Sequence, residues 1–121
     1  MQSTPTDGPL VVAIDSSTTA TKAIVVDAAG NVLALGKRDI ALLSPEQGFG
    51  EHDPRQWWTS TRDAIAEALA GLTPAEKERV AALGITHQRE SFAPFTADGT
   101  PLRNGILWLD IRAADQAQRY G

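Results

Sequence analysis

The stretch from Leu10 to Val32, LVVAIDSSTTATKAIVVDAAGNV, sets one acid, Asp15, at the mouth of a run of small hydroxyl residues between two apolar segments. Val11 to Ile14 read as a buried strand, Ser16 to Thr21 as a hairpin of short side chains, and Ala23 to Val26 as the returning strand. Backbone N–H groups in such a turn converge on an anion, and Thr18 and Thr19 add hydroxyl donors without blocking close approach. The arrangement suits a phosphate. Asp15 suits a hard cation such as magnesium, which keeps most of its water and takes few protein ligands. Lys22 adds a point charge on the same side. An ordinary hairpin, whose Ser and Thr hydroxyls satisfy their own backbone, is the competing reading of this segment.

Two further groups invite chemistry. In HQRE, Arg89 donates in a fixed fork and Glu90 accepts, as the hydroxyls of a small polar substrate require. A surface ion pair explains the same residues. In WLDIR, Trp108 offers an apolar face to a carbon skeleton, with Asp110 and Arg112 polar around it. Alternatively Trp108 is core and Asp110 the N-cap of a final helix. His52 and His87 have no partners at metal-ligand spacing, which argues against zinc.

The elements that must carry these residues follow an α/β order. Ala28 to Asn31 is a turn, and Val32 to Ile40 continues as a third strand. Leu43 to His52, with Pro45, Gly48 and Gly50, reads as a surface loop. Asp53-Pro54 then opens a helix, Asp53 as N-cap, Pro54 at the first helical position and Gln56 where a capping-box partner belongs. Trp58, Thr61, Ile65, Ala68, Leu69 and Leu72 recur at three- and four-residue steps as its buried face. Gly71 ends it, and Thr73-Pro74 begins a second short helix. Val80 to Thr86 is a strand delivering His87, Gln88, Arg89 and Glu90 at its C-terminal end. Ser91 to Phe95 follows as a strand, Ala97 to Pro101 as a turn with the Asp-Gly signal, Gly105 to Leu109 as the last strand, and Arg112 to Tyr120 as the start of a helix.

Composition narrows the class. A chain of 121 residues, 42% hydrophobic and 21% charged, forms one soluble globular unit with a true core. Fifteen acids against eleven bases, with no basic cluster, argue against nucleic acid as a partner. No apolar run is long enough to cross a bilayer, and residues 1–9 read as a short disordered lead rather than a signal peptide. The absence of cysteine excludes disulfides and thiol catalysis and accords with a reducing cytoplasm.

Taken together, four segments resemble the amino-terminal part of the FGGY carbohydrate kinases, the family that includes glycerol kinase and xylulokinase. They are AIDSSTTATKAIVVDAAGNV, GFGEHDPRQWW, GITHQRESF and GTPLRNGILWLDIR, in the family's order, covering the chain from about Val11 to Arg112. The resemblance implies a ribonuclease H-like fold, shared with actin and hexokinase, with a mixed sheet and flanking helices. It also implies cytoplasmic phosphoryl transfer from ATP, with Mg2+, to a hydroxyl of a sugar or polyol. Carried onto matching positions, it gives Asp15 the magnesium-organising role and Thr18, Thr19 and Lys22 the contacts to the phosphoryl group. Gln88, Arg89 and Glu90 become substrate-binding residues, and Trp108 a wall of that pocket.

Two departures from the family pattern stand out. The family hairpin reads Asp-x-Gly-Thr-Thr, whereas Ser17 stands where that Gly is expected, at a cost if the position needs a positive φ or close approach to phosphate. Family members are also several times longer. Residues 10–121 are therefore expected to form the first part of the sugar-binding domain, with the general base beyond Gly121. The 121-residue chain alone would then be inactive and prone to self-association through uncovered apolar surface. A stand-alone, non-catalytic module that binds phosphate or sugar is the alternative, and an actin-like or heat-shock-type ATPase fragment leaves HQRE and WLDIR unexplained.

Overall fold

The computed structural model describes residues 7–121. The expected lead over residues 1–9 lies outside them as far as residue 6, and the Gly8 carbonyl accepts from Arg79 Nε and Nη2 at 2.9 and 2.7 Å. Apolar residues alternating along the first three strands build a meander: β1 (Leu10–Ser16), β2 (Ala20–Val26) and β3 (Val32–Asp39), paired antiparallel. The β2–β3 turn is closed by Asp27, whose Oδ1 accepts from the Ala29 and Asn31 N–H groups at 2.9 Å, with Gly30 at φ 84°. A later strand, β5 (Val80–His87), joins the other side of β1 in parallel, giving the order β3-β2-β1-β5. The sheet is therefore mixed.

One face of this sheet is covered by α1 (Arg55–Ala70), which packs on β2 and β3 and touches β1. Leu10, Val12, Ile14, Ala23 and Val25 point into that interface and meet Ala64, Ala68 and Leu72. Each fully buried large aliphatic contributes roughly 1.5–3 kcal/mol. The approach is close because small residues line it. A Cβ on Gly36 would collide with the Ala64 carbonyl oxygen and lie 2.9 Å from Ala64 C and Ala68 N.

Several sequence expectations are corrected here. Trp58 is not core: it is 66% exposed, and Trp57 takes the inward position, in phase with the buried Ser60, Ala64 and Ala68. Two adjacent helical positions lie about 100° apart, so only one can follow that stripe. Asp53 does start the helix, accepting the Arg55 N–H at 3.0 Å with Pro54 already helical, but Gln56 closes no capping box. Its Oε1 accepts from the Ala41 N–H at 3.1 Å. The capping box belongs instead to Thr73 and Glu76, at α2 (Pro74–Glu78).

The segment expected as a surface loop ends in a buried strand, β4 (Glu51–His52), paired with β6 (Gly105–Ile106). The last expected strand is cut to these two residues. Ser91 to Phe95 is no strand either; only the isolated bridges Phe92↔Ile106 and Phe95↔Pro101 form. Pro94 and Pro101, lacking N–H groups, cannot donate to a longer ladder there. The terminal helix α3 (Ala114–Tyr120) starts later than expected, and Asp110 does not cap it.

Replacing Gly36 by Ala is expected to lower stability by roughly 1–3 kcal/mol through overpacking of α1 on β3. Gly84→Ala, where a Cβ meets nothing within 4 Å, should leave stability unchanged or slightly raised. Urea denaturation of both variants checks this; equal midpoints would refute the close approach.

Candidate functional site

The β1–β2 turn, residues 17–19, is anchored by bonds from four separate parts of the chain. Its own closure is Ser17 N–H to the Ala20 carbonyl at 2.9 Å, doubled by Ser17 Oγ at the same distance. Gln88 Nε2, just past β5, donates to the Ser17 carbonyl at 3.1 Å. His52 Nε2 meets the Thr18 carbonyl at 2.8 Å, and the Ile40 N–H donates to the Thr19 carbonyl at 2.9 Å. Trp108 Nε1 donates to Thr18 Oγ1 at 3.0 Å.

Below the tip, the hydroxyls divide by strand alternation. Ser16 and Thr21 point inward and are buried, and Thr21 Oγ1 shares a 2.9 Å hydrogen bond with Ser60 Oγ on α1. Ser16 Oγ and Thr21 Oγ1 also meet each other at 3.4 Å, and only Ser17 satisfies the hairpin's own backbone as the ordinary-hairpin reading expects. Thr18 and Thr19 do not, since their side chains bond nothing within the hairpin. Ser17 shows no left-handed strain: among the described non-glycine residues only Glu90, at φ 62°, has a positive φ.

Asp15 and Lys22 face each other in register on the sheet side away from α1, and Thr86 lies beside Asp15 on β5. With Ala13, Ile14 and Ile24 they line a shallow hollow of ≈ 290 Å³. Thr86 Oγ1 approaches Asp15 Oδ1 at 3.4 Å. Among the described residues no group of three or more His, Cys, Asp or Glu side chains is placed to hold a metal ion. A single exposed carboxylate still fits magnesium, which takes one or two carboxylates and completes its shell with phosphate oxygens and water.

The predicted substrate residues are only partly gathered at this tip. Gln88 and Trp108 are, and Ser91, which the sequence reading missed, links them: its Oγ donates to Gln88 Oε1 at 3.2 Å and accepts the Trp108 N–H at 3.1 Å. Trp108 is 57% exposed, so it is not core. Arg89 and Glu90 pair with each other at 3.5 Å and stand in solvent. Asp110 and Arg112 are not pocket groups. Arg112 grips Asp110 through two bonds, Nε to Oδ1 at 2.8 Å and Nη2 to Oδ2 at 2.6 Å, and reaches Glu51 Oε1 at 2.7 Å. Gly50 N–H adds a bond to Asp110 Oδ2 at 2.8 Å, and Asn104 Nδ2 one to Glu51 Oε2 at 3.0 Å.

His52 is also absent from the sequence-stated site. It is fully buried, and Trp57 Nε1–H donates to its Nδ1 at 2.9 Å. Indole nitrogen only donates, so Nδ1 is unprotonated and Nε2 carries the proton given to Thr18. A cue lay in His52 and Trp57, which flank the helix start. Burial pushes the His52 pKa down, partly opposed by the Thr18 carbonyl, and His87 lowers it further. Hydrogen bonds from Arg112 hold the Asp110 carboxyl well below the usual range and lower Glu51 as well, against the effect of burial.

Residues 10–120 match the model for the N-terminal domain of the FGGY family of carbohydrate kinases. Over 115 residues the chain is 45% identical to the xylulose kinase of Streptomyces coelicolor, covering 93% of this chain and 22% of that protein. It is 37% identical over 112 residues to the glycerol kinase of Beutenbergia cavernae, covering 92% and 22%. The crystal structure of xylulose kinase from Rhodospirillum rubrum superposes with a TM-score of 0.85 at 30% identity, over 91% of this chain and 22% of that one. The chain thus spans about a fifth of the length of these relatives, and the expected sugar-kinase fold, with its mixed sheet and flanking helices, is the one found.

Acid should unfold the chain in two steps. Because the folded His52 pKa lies below the ordinary value of about 6.5, the unfolded chain takes up that proton first. The associated stability is full above about pH 6.5 and is lost as pH falls from there toward the folded value. Asp110 and Glu51 are also lowered on folding. Their contribution is full above about pH 5 and is lost as pH falls through their folded values. Unfolding free energies measured from about pH 8 to 3 should show both slopes, and His52→Gln should remove the upper one alone; a flat profile between pH 7 and 5 would contradict a buried, neutral His52.

Proposed function

The chain belongs to the FGGY family of carbohydrate kinases, and we propose that it supplies the phosphate hairpin and one wall of the acceptor pocket for ATP-dependent phosphorylation of a sugar or polyol hydroxyl. One observation carries this reading. The 3.0 Å bond from Trp108 Nε1 to Thr18 Oγ1 brings the exposed indole against the turn, which supports reading the first as acceptor wall and the second as phosphate site. A hydroxyl resting on that indole therefore lies close to a phosphoryl group held at the turn, the proximity that in-line transfer demands.

Each side chain has a role in this reading. Thr18 and Thr19 meet the phosphoryl oxygens at the turn, and Lys22 offsets their charge from the adjacent strand pair. Gln88 keeps the turn in place, while Arg89 and Glu90 exchange their mutual ion pair for substrate hydroxyls. When bound, ATP supplies the transferred group, and Mg2+ carried by Asp15 and water would neutralise its oxygens. The general base belongs, in this reading, to sequence beyond Gly121, and the protein works in the cytoplasm.

The remainder of the kinase is also the partner we assign to β5. Leu83 and Ile85 lie in register with Val12 and Ile14 but beyond the reach of α1, and are 56% and 58% exposed. Uncovered, such surface drives self-association.

A chimera in which this chain replaces the matching first fifth of the Streptomyces coelicolor xylulose kinase should phosphorylate a sugar or polyol with ATP, and Asp15→Asn should lower its rate roughly 10²-fold or more. A folded chimera without activity, or one indifferent to Asp15→Asn, would refute the proposal. The 121-residue chain by itself should show no sustained turnover. It should bind an apolar dye and self-associate, and Leu83→Lys with Ile85→Lys should reduce both; a clean monomer without dye binding would sink the assignment of β5.

A further inference from the structure

All three carbonyls of the turn are held, whereas of its amides only that of Ser17 is. Gln88, His52 and Ile40 take the carbonyls of Ser17, Thr18 and Thr19 in turn. Among the described residues the Thr18 and Thr19 N–H groups have no protein acceptor. A trans peptide is planar, with its C=O and N–H pointing in opposite directions. Whatever draws the Thr18 carbonyl inward therefore turns the Thr19 N–H outward, and the same holds for the Ser17 carbonyl and the Thr18 N–H.

Of the three holders, His52 alone is a fully buried side chain with its own support. Trp57 fixes its tautomer by donating to Nδ1, with the rings edge to face at 6.2 Å. Trp57 can sit there because residue 105 is Gly, where a Cβ would lie 2.9 Å from the indole Cη2. The β4–β6 pairing of His52 with Gly105 holds the backbone.

From this geometry we propose that His52 is a positioning residue: its Nε2–H, oriented by Trp57, holds the Thr18 carbonyl inward and so presents the Thr19 N–H to a phosphate at the turn. The proposal rests on the reading of the hairpin as a phosphate site and adds a residue to it. Three variants separate the parts of the device. His52→Gln keeps an N–H donor at the reach of Nε2. His52→Asn keeps an acceptor for Trp57 but falls short of Thr18. Trp57→Phe keeps the imidazole and frees its tautomer.

The test is a titration of the isotope-labelled chain with inorganic phosphate, followed by NMR at the Thr18 and Thr19 amides and the Thr18 carbonyl carbon. In the wild type, both amides should shift saturably. In His52→Asn the Thr18 carbonyl resonance should move to the value of an unbonded carbonyl, and phosphate affinity should fall roughly three- to tenfold, as expected for one lost hydrogen bond. His52→Gln should restore affinity to within about twofold, and Trp57→Phe should fall between. A merely structural histidine would not be rescued in this order. If the wild type responds and both His52→Asn and Trp57→Phe respond equally well with dispersed spectra, the positioning role is overturned and the phosphate site stands. If the wild-type amides ignore phosphate, the hairpin reading itself fails, and the proposal with it.

Discussion

The site depends first on a buried ion cluster beside it. The Asp110 side chain is 1% exposed and that of Glu51 8%; Arg112, stacked over Phe49 at 3.8 Å, pairs with both, and Arg103 adds a second cation to Glu51 at 3.1 Å. Isolated carboxylates could not be buried there; paired and fully hydrogen-bonded, they can. The cluster ties the Gly48–His52 stretch to the stretch running from Gly105 to Arg112. Two-residue strands cannot hold such an alignment alone. From this junction hang His52, Trp57 and Trp108, the three aromatic side chains that set the hairpin tip and its outer wall.

The hairpin then illustrates how one motif serves two purposes. Cross-strand partners such as Ser16 and Thr21 share one face of the sheet, here the face toward α1. Ser16 and Thr21 consequently enter the core and bond toward α1, while the tip residues Thr18 and Thr19 remain at the surface. The small size of the inner pair is what permits its burial.

What the sequence disclosed and what it withheld divide along range. The meander, the strand Val80 to His87 and the helix opening at Asp53-Pro54 were legible because each is specified by neighbours: alternation, a turn residue, a cap. The phase of α1 was not, since Trp57 and Trp58 are equally apolar and only the packing of Ser60, Ala64 and Ala68 on the sheet selects between them. β4 and β6 are too short to show any period, and Glu51 and His52 are polar residues in a Gly- and Pro-bearing stretch, which locally argues for exposure. Their burial is decided by Arg112 and by the Thr18 carbonyl, 61 and 34 residues away in the chain. At the site, Asp15, Thr18, Gln88 and Trp108 could be named from motifs. Ser91 could not, and for His52 the only cue was Trp57 across the helix start, because the contribution of each is a contact with backbone or with another side chain.

The parallel pairing of β1 with β5 has a consequence for how the molecule acquires its site. The meander closes through short turns, whereas Gln88 meets Ser17, 71 positions earlier, only after the intervening chain has been looped back. The entropy of closing that loop must be met before the pairing yields anything, and parallel pairing across such a span is intrinsically slow. The local hairpin is thus present early as an unsupported turn. Its supports from Gln88, His52 and Trp108 come from distant segments, so the shape of the turn is tied to long-range docking and is exposed to loss when the β5 edge opens.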